Sequence, residues 1–396
     1  MKNPEFNIPD MSKVLGLDQL KAVTEVFQQS PLIRQINSVQ ESIKALTPAY
    51  DFSGIKQPYY SDGIACPPRI NLDFNRSQDE IVVVIGNGFD LEAGLDTGYS
   101  DFRKSNQWDR LMSESSLKCF MQQIFQTKGK DSWLGLEEEF KRYAVGIQSL
   151  NQDPIQYAEN VKRDQVFFTA LCSALKEYLK SCYRKIDSSK YSYLLLKTLL
   201  TVSDHYFDVK NKHPLSVRYI TFNYTELSQI AYDTFEKGYP SSLKEVNHVH
   251  GKLDDDIILG TDESQDIPYG YEFLFKSWHE KYQSHVVLEE LAQASEIIFF
   301  GLSFGAIDLV YFYKFFRDIC SGRYDENLRK NITIITKDNE SRMSIMREIY
   351  KMGIPIMELK AHCNLKFIYT CVDRDKNQDF RDLLTLIQIK WKNLLE

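Results

Sequence analysis

The most restrictive stretch of this sequence is residues 81–103, IVVVIGNGFDLEAGLDTGYSDFR. Ile81 to Ile85 is apolar at every position, and a strand with no polar side must be covered on both faces, as inside a parallel sheet. Gly86 and Gly88 follow at once. Lacking a Cβ, they let the backbone turn sharply and approach a ligand closely. The helical pattern behind the turn begins with free N–H groups, which suit an anion such as a phosphate. Gly94 stands six residues after Gly88, whereas the dinucleotide fingerprint places its third glycine three residues after the second. The turn by itself points to a nucleotide without fixing one.

Strand and helix patterns alternate again further along the chain. Strands are predicted at Val217–Phe222, Val246–His250, Ile257–Leu259, Ser295–Phe300, Asn331–Thr336 and Leu365–Tyr369. Helices are predicted at Thr225–Lys237, from Leu309, around Met343 to Ile349, and at Phe380–Trp391. Repeated βα units imply an α/β chain with a doubly wound, mainly parallel, Rossmann-like sheet. Residues 104–212 break the alternation with amphipathic helices, such as Phe168, Leu171, Leu175 and Leu179 at a 3.6-residue period. They read as a helical insertion over the mouth of the nucleotide site, where a lid excludes water or selects substrate.

Residues 1–75 read as a separate helical arm and connector before a domain at 76–396. In the arm, Leu20, Val23 and Phe27 precede Pro31, and Ile33, Ile36, Val39, Ile43 and Leu46 follow it, giving two short helices with one apolar face. That face either packs on its own domain or forms a homo-oligomer or partner interface.

The chain has 396 residues and a net charge of -7, enough for two or three structural units, with no long Lys/Arg cluster of the kind that makes a general nucleic-acid surface. No apolar run reaches the roughly 20 residues of a membrane helix, and the first residues lack a signal peptide's apolar segment, so a soluble, cytoplasmic protein is expected. Its seven cysteines show no two-residue pairing and read as free thiols, with no zinc ribbon.

Three later motifs fall where predicted strands end. In Thr221-Phe222-Asn223-Tyr224-Thr225, Asn223 sits at the carboxyl edge where open α/β sheets bind ligands; an Asn there is also a common helix cap. In Asn247-His248-Val249-His250-Gly251, alternation puts both histidines on one strand face, and a His titrating near 6.5 suits acid–base work near neutrality. The alternatives are a buried histidine bonded to backbone, or a metal held by His248 and His250 with Asp254 to Asp256 or Asp262. The third motif is Gly301-Leu302-Ser303, followed by Asp308 near a helix start. Ser303 and Asp308 fit turn and cap chemistry as well as a ligand. Gly301-x-Ser303-x-Gly305 also matches a hydrolase nucleophile elbow, for which His362 is the only later histidine.

Taken together, Gly86-x-Gly88, Ala93-Gly94-Leu95 and Asp101-Phe102-Arg103 resemble the sirtuin signature, with Thr97 to Ser100 inserted. The wording GNGFDLEAGLDTGYSDF is closer still to the abortive-infection AbiH family of prokaryotic anti-phage proteins, as is Trp133-x-x-x-Glu137. The resemblance implies a sirtuin-like NAD-binding domain, with Gly86, Asn87, Gly88, Phe89, Asp90, Arg103, His248, Gly301, Ser303 and Asp308 as the cofactor-binding set. It also implies Asn223 and His250 as the catalytic pair.

There are departures from the sirtuin pattern. Asn87 and Asp90 replace small or hydroxyl residues of the glycine loop, and a carboxylate at Asp90 would repel a pyrophosphate unless it faces a ribose or caps the helix. The missing zinc ribbon removes the usual cleft for an acyl-lysine peptide. Water then becomes the expected acceptor, and hydrolysis of NAD to nicotinamide and ADP-ribose, with no metal, the expected reaction. Two other classes stay open, an NAD or ADP-ribose sensor without catalysis and a metal-dependent hydrolase or nuclease using His248 and His250. A phage-derived trigger is also implied.

Overall fold

The computed structural model describes residues 81–395 apart from 128–132, 149–152, 207–216, 236–242, 244–245, 264–265, 283, 306–308 and 323–328. The N-terminal arm and Asp308 lie outside the described residues. Six strands form one sheet: β1 (Ile81–Ile85), β2 (Val217–Thr221), β3 (Asn247–His248), β4 (Glu296–Phe300), β5 (Asn331–Thr336) and β6 (Asn364–Tyr369). All neighbours run parallel, in the order β3-β2-β1-β4-β5-β6. This is the doubly wound order whose ligand crevice lies outside the carboxyl ends of β1 and β4, where the direction of strand addition reverses.

The uniform apolarity of β1 follows from its surroundings. Ile81, Val83 and Ile85 face one layer and Val82 and Val84 the other, and all five are buried. The helices are α1 (Asn87–Glu92), α2 (Tyr99–Phe102), α3 (Asn106–Ser113), α4 (Phe120–Thr127), α5 (Trp133–Gln148), α6 (Pro154–Ser181), α7 (Tyr191–Tyr206), α8 (Leu227–Phe235), α9 (Ser284–Gln293), α10 (Leu309–Cys320), α11 (Asn339–Lys351), α12 (Ile356–His362) and α13 (Gln378–Leu395). The first sheet layer is completed by α7, α8 and α13, the second by α9 to α12.

A third apolar cluster draws on α2 to α6, including Phe102, Trp108, Phe140, Phe167 and Leu171, and on the segment from Leu253 to Leu274. The helices at 106–181 thus share a core with the long connection between β3 and α9. The expected helical insertion ran to 212, but α7 packs on the sheet, contributing Leu195, Leu196 and Leu199 to the layer under Ile81 and Val83. It is the crossover between β1 and β2, which parallel strands require.

Two expected strands differ from the observed chain. Val246–His250 is a strand only at Asn247–His248, and Val249 and His250 already lie in a turn. Ile257–Leu259 forms no strand; Ile257 makes a single antiparallel bridge with Gly251. Gly251, at φ 75°, continues that turn directly after His250.

Candidate functional site

The glycines after β1 and β4 are packed against each other. Gly86 N–H donates to Phe300 O and Gly88 N–H to Gly301 O, both at 2.9 Å. A Cβ on Gly88 would lie 2.6 Å from Gly301 Cα, and one on Gly86 2.7 Å from Gly301 O. The sequence needs glycine here because two backbones touch. Phe89 N–H donates to Gly86 O at 2.9 Å, and its ring lies buried, edge-on to Phe300 at 5.2 Å. These three amides are therefore engaged within the turn, and a ligand would meet the turn through Asn87 and the exposed rim.

The second turn carries the chain's positive-φ non-glycine residue among those described, Phe304 at φ 54°. Such a conformation costs roughly 1–2 kcal/mol. Its fully buried ring offsets that cost against Phe299 and Phe312, each 5.0 Å away. The turn so fixed leaves Ser303 exposed.

Asp90, one turn into α1, is 1% exposed. Its Oδ1 accepts from Asn223 Nδ2 at 2.8 Å and its Oδ2 from Thr225 Oγ1 at 2.6 Å. Burial pushes its carboxyl up to about 7, although hydrogen bonds from Thr225, Asn223 and Thr97 oppose the shift. Asn223 also donates from Nδ2 to Gly86 O at 3.2 Å, and its own N–H donates to Thr221 Oγ1 at 3.0 Å. Helix α8 begins only at Leu227, and Asn223 spends its amide on the β1 turn, so the capping alternative does not describe it. Thr97 ties in the loop after α1 by donating to Asn87 Oδ1 at 2.7 Å.

The two histidines do not share a strand face. His250 is buried beside Phe222, with Tyr311 OH 3.3 Å from Nε2, and Tyr311 in turn lies 2.7 Å from Tyr282 OH. Burial, and then the charge of Lys276, hold it well below the usual histidine range, against a hydrogen bond to the Phe222 backbone. It is neutral at physiological pH. His248 is half-buried and its Nδ1 has no hydrogen-bond partner; burial, then Lys252, lower it to about 4. Among the described residues no three His, Cys, Asp or Glu side chains gather as a metal-holding group.

One cavity of about 440 Å³ brings together Gly86, Asn87, Gly88, Asp90, Asn223, His250, Gly301 and Ser303. Its size falls in the range of small-molecule sites. Tyr99, Asp101 and Glu137 line it from the helical side, and Tyr224 and Thr225 from the turn after β2. Phe89, His248 and Arg103 are not among its lining residues. Arg103 stacks over Trp108 at 5.6 Å, and its buried Nε has no hydrogen-bond partner.

Glu137 is held by Lys276, whose Nζ lies 2.7 Å from Oε1 in a buried ion pair. Sequence reasoning missed Thr97, Thr225, Lys276 and Tyr311. Thr225, two residues after Asn223 in the same motif, and Thr97, inside the stretch after the glycine turn, lay within motifs already singled out.

The family model for bacteriophage abortive infection AbiH matches residues 82–325, well over half of the chain. The chain belongs to the AbiH family. Its role is accordingly abortive infection, a defence against bacteriophage. The match begins in β1 and runs past the Gly301 turn, so it spans every motif that lines the cavity. The search of curated proteins gave no match. Among the described residues no helix is long and apolar enough to cross a membrane.

Proposed function

We propose that this AbiH protein binds NAD in the cavity and hydrolyses its N-glycosidic bond, releasing nicotinamide and ADP-ribose as the effector step of abortive infection. The observation that carries the reading is that Asn223, His250, Gly88 and Ser303, from four separate stretches of sequence, line one cavity at the reversal point of a doubly wound sheet. Asn223 accepts a hydroxyl or water proton through Oδ1, since its Nδ2 is committed to Gly86 and Asp90. Ser303 sits at the rim, where the adenosine half extends. The engaged amides of Gly86, Gly88 and Phe89 leave the phosphates to the rim as well.

In the reaction, water oxygen bonds to the ribose C1′ as the C1′–N bond breaks, the electron pair leaving with nicotinamide. The pyridinium departs neutral, so the leaving group needs no proton. His250, neutral through burial, accepts the water proton. Its depressed basicity suits a step in which bond cleavage runs ahead of proton loss, because an oxocarbenium-like centre demands little nucleophile activation.

The test is NAD turnover and thermal melting on the same preparations, with NAD content followed in phage-infected cells making the protein. Asn223→Ala and His250→Ala should lose about 10²-fold or more in turnover while staying folded. Full turnover in folded His250→Ala removes the base. Binding of NAD without turnover, in infected cells as well as in the purified protein, leaves a nucleotide sensor in its place.

A further inference from the structure

The carboxamide of Asn223 is held at one end only. Two acceptors from the β1 side, Gly86 O at 3.2 Å and Asp90 Oδ1 at 2.8 Å, take the Nδ2 protons. Asp90 is itself immobilised. It is 1% exposed, and Thr225 Oγ1 donates to its other oxygen at 2.6 Å. Thr225 stands two residues after Asn223, so one short turn presents both donors to a single carboxyl group.

We propose that Asp90 is a positioning residue that fixes the polarity of Asn223, so that the cavity offers its ligand the carboxamide oxygen and selects ligands presenting a hydroxyl or water proton there. An amide free to rotate would offer donor and acceptor alternately, and recognition of a ribose hydroxyl would be lost in half of the orientations. The burial of the group matters here. A rotated amide would set its oxygen against Asp90, and an unsatisfied buried acceptor costs about 1–3 kcal/mol. A chain without the carboxyl would keep only the longer bond to Gly86 O.

The proposal rests on the NAD reading only for its choice of ligand, ADP-ribose, measured by calorimetry on the full chain. Asp90→Asn retains a carbonyl oxygen that can accept from Asn223, because the Thr225 hydroxyl can rotate to accept from the new amide. Asp90→Ala removes the acceptor. At a temperature where melting shows each variant folded, Asp90→Ala should bind ADP-ribose about 10-fold or more weakly and Asp90→Asn within about 3-fold of the unmodified protein. Unchanged affinity in Asp90→Ala overturns the proposal. Equal loss in both variants also overturns it, since the charge and not the accepted bond would then be what matters.

A second measurement needs no ligand. The side-chain amide signal of Asn223 in asparagine-labelled protein should keep its position in Asp90→Asn and move in Asp90→Ala. If the unmodified protein fails to bind ADP-ribose, the dinucleotide reading falls, and this signal alone decides Asp90: an unmoved signal in Asp90→Ala overturns the positioning role.

Discussion

A methyl group at Gly88 would lie 2.6 Å from the Cα of Gly301, so the turns after β1 and β4 cannot both keep their places. Gly88→Ala should cost about 1–3 kcal/mol or more, through forced backbone movement in a packed core. At Gly94, φ is 86° but nothing stands within 4 Å of an added Cβ. Gly94→Ala therefore carries backbone strain alone, about 1 kcal/mol, and thermal melting should rank the two variants in that order. Asp90 makes a second prediction at this scale. Its folded carboxyl titrates near 7 and its ordinary value is 3.8, so the folded state binds the extra proton. Stability then falls as pH rises from about 4 to about 7, by at most a few kcal/mol. Asp90→Asn removes this dependence, so its melting temperature relative to the unmodified protein should climb between pH 5 and pH 8; a flat difference would mean that Asp90 ionises freely.

Among the elements, those buried on both faces were readable from sequence. Strands β1, β4 and β5 are short, largely apolar runs ending in Gly or polar turns, which is how covered parallel strands look, and β2 is apolar and buried at Tyr219 and Ile220 although Arg218 is partly exposed. The edge strand β3 was overdrawn because alternation in Asn247–Gly251 continues past the point where the chain leaves the sheet. The amphipathic pattern within residues 104–212 announced helices but not that the last of them, α7, would pack on the sheet core. For the same reason Asp90, Asn223 and His250 could be proposed one by one, while the bond between Asn223 and Asp90 could not: the two are 133 residues apart. The helical cover hides a similar long-range device. Asp164 in α6 is fully buried and accepts from Tyr143 OH of α5, from Tyr271 OH at 2.6 Å and from Met121 N–H of α4 at 3.3 Å. Asp164→Ala removes the acceptor that all three donors share, and denaturant unfolding should show a loss of about 2–4 kcal/mol. A separate early transition in that variant would show the cover melting apart from the sheet; a loss under about 1 kcal/mol would mean that water replaces the carboxylate.

Across the whole molecule, the helical cover meets the β3-to-α9 connection through a shared apolar core and, among the described residues, a buried ion pair that also borders the cavity. Glu137 of α5 lines the cavity, and Lys276, with a fully buried side chain, supplies its counter-charge. Burial raises the Glu137 carboxyl, and Lys276 opposes that shift. Lys276→Met leaves the carboxyl buried and unpaired, which typically costs about 3–5 kcal/mol. The sign with pH follows from the raised carboxyl: the folded variant binds a proton that the unfolded chain releases, so the loss should be larger at pH 8 than at pH 5. Adding Glu137→Leu to Lys276→Met should recover most of the stability, because a well-packed apolar pair often matches a buried ion pair. The same double variant removes the charge that helps hold His250 neutral, so any turnover retained should show its acidic limb shifted towards higher pH. Urea unfolding at the two pH values checks the first part. Were Lys276→Met to lose less than about 1 kcal/mol at pH 8, the cover would be held by its apolar core alone, and Glu137 would be free to serve a ligand in the cavity.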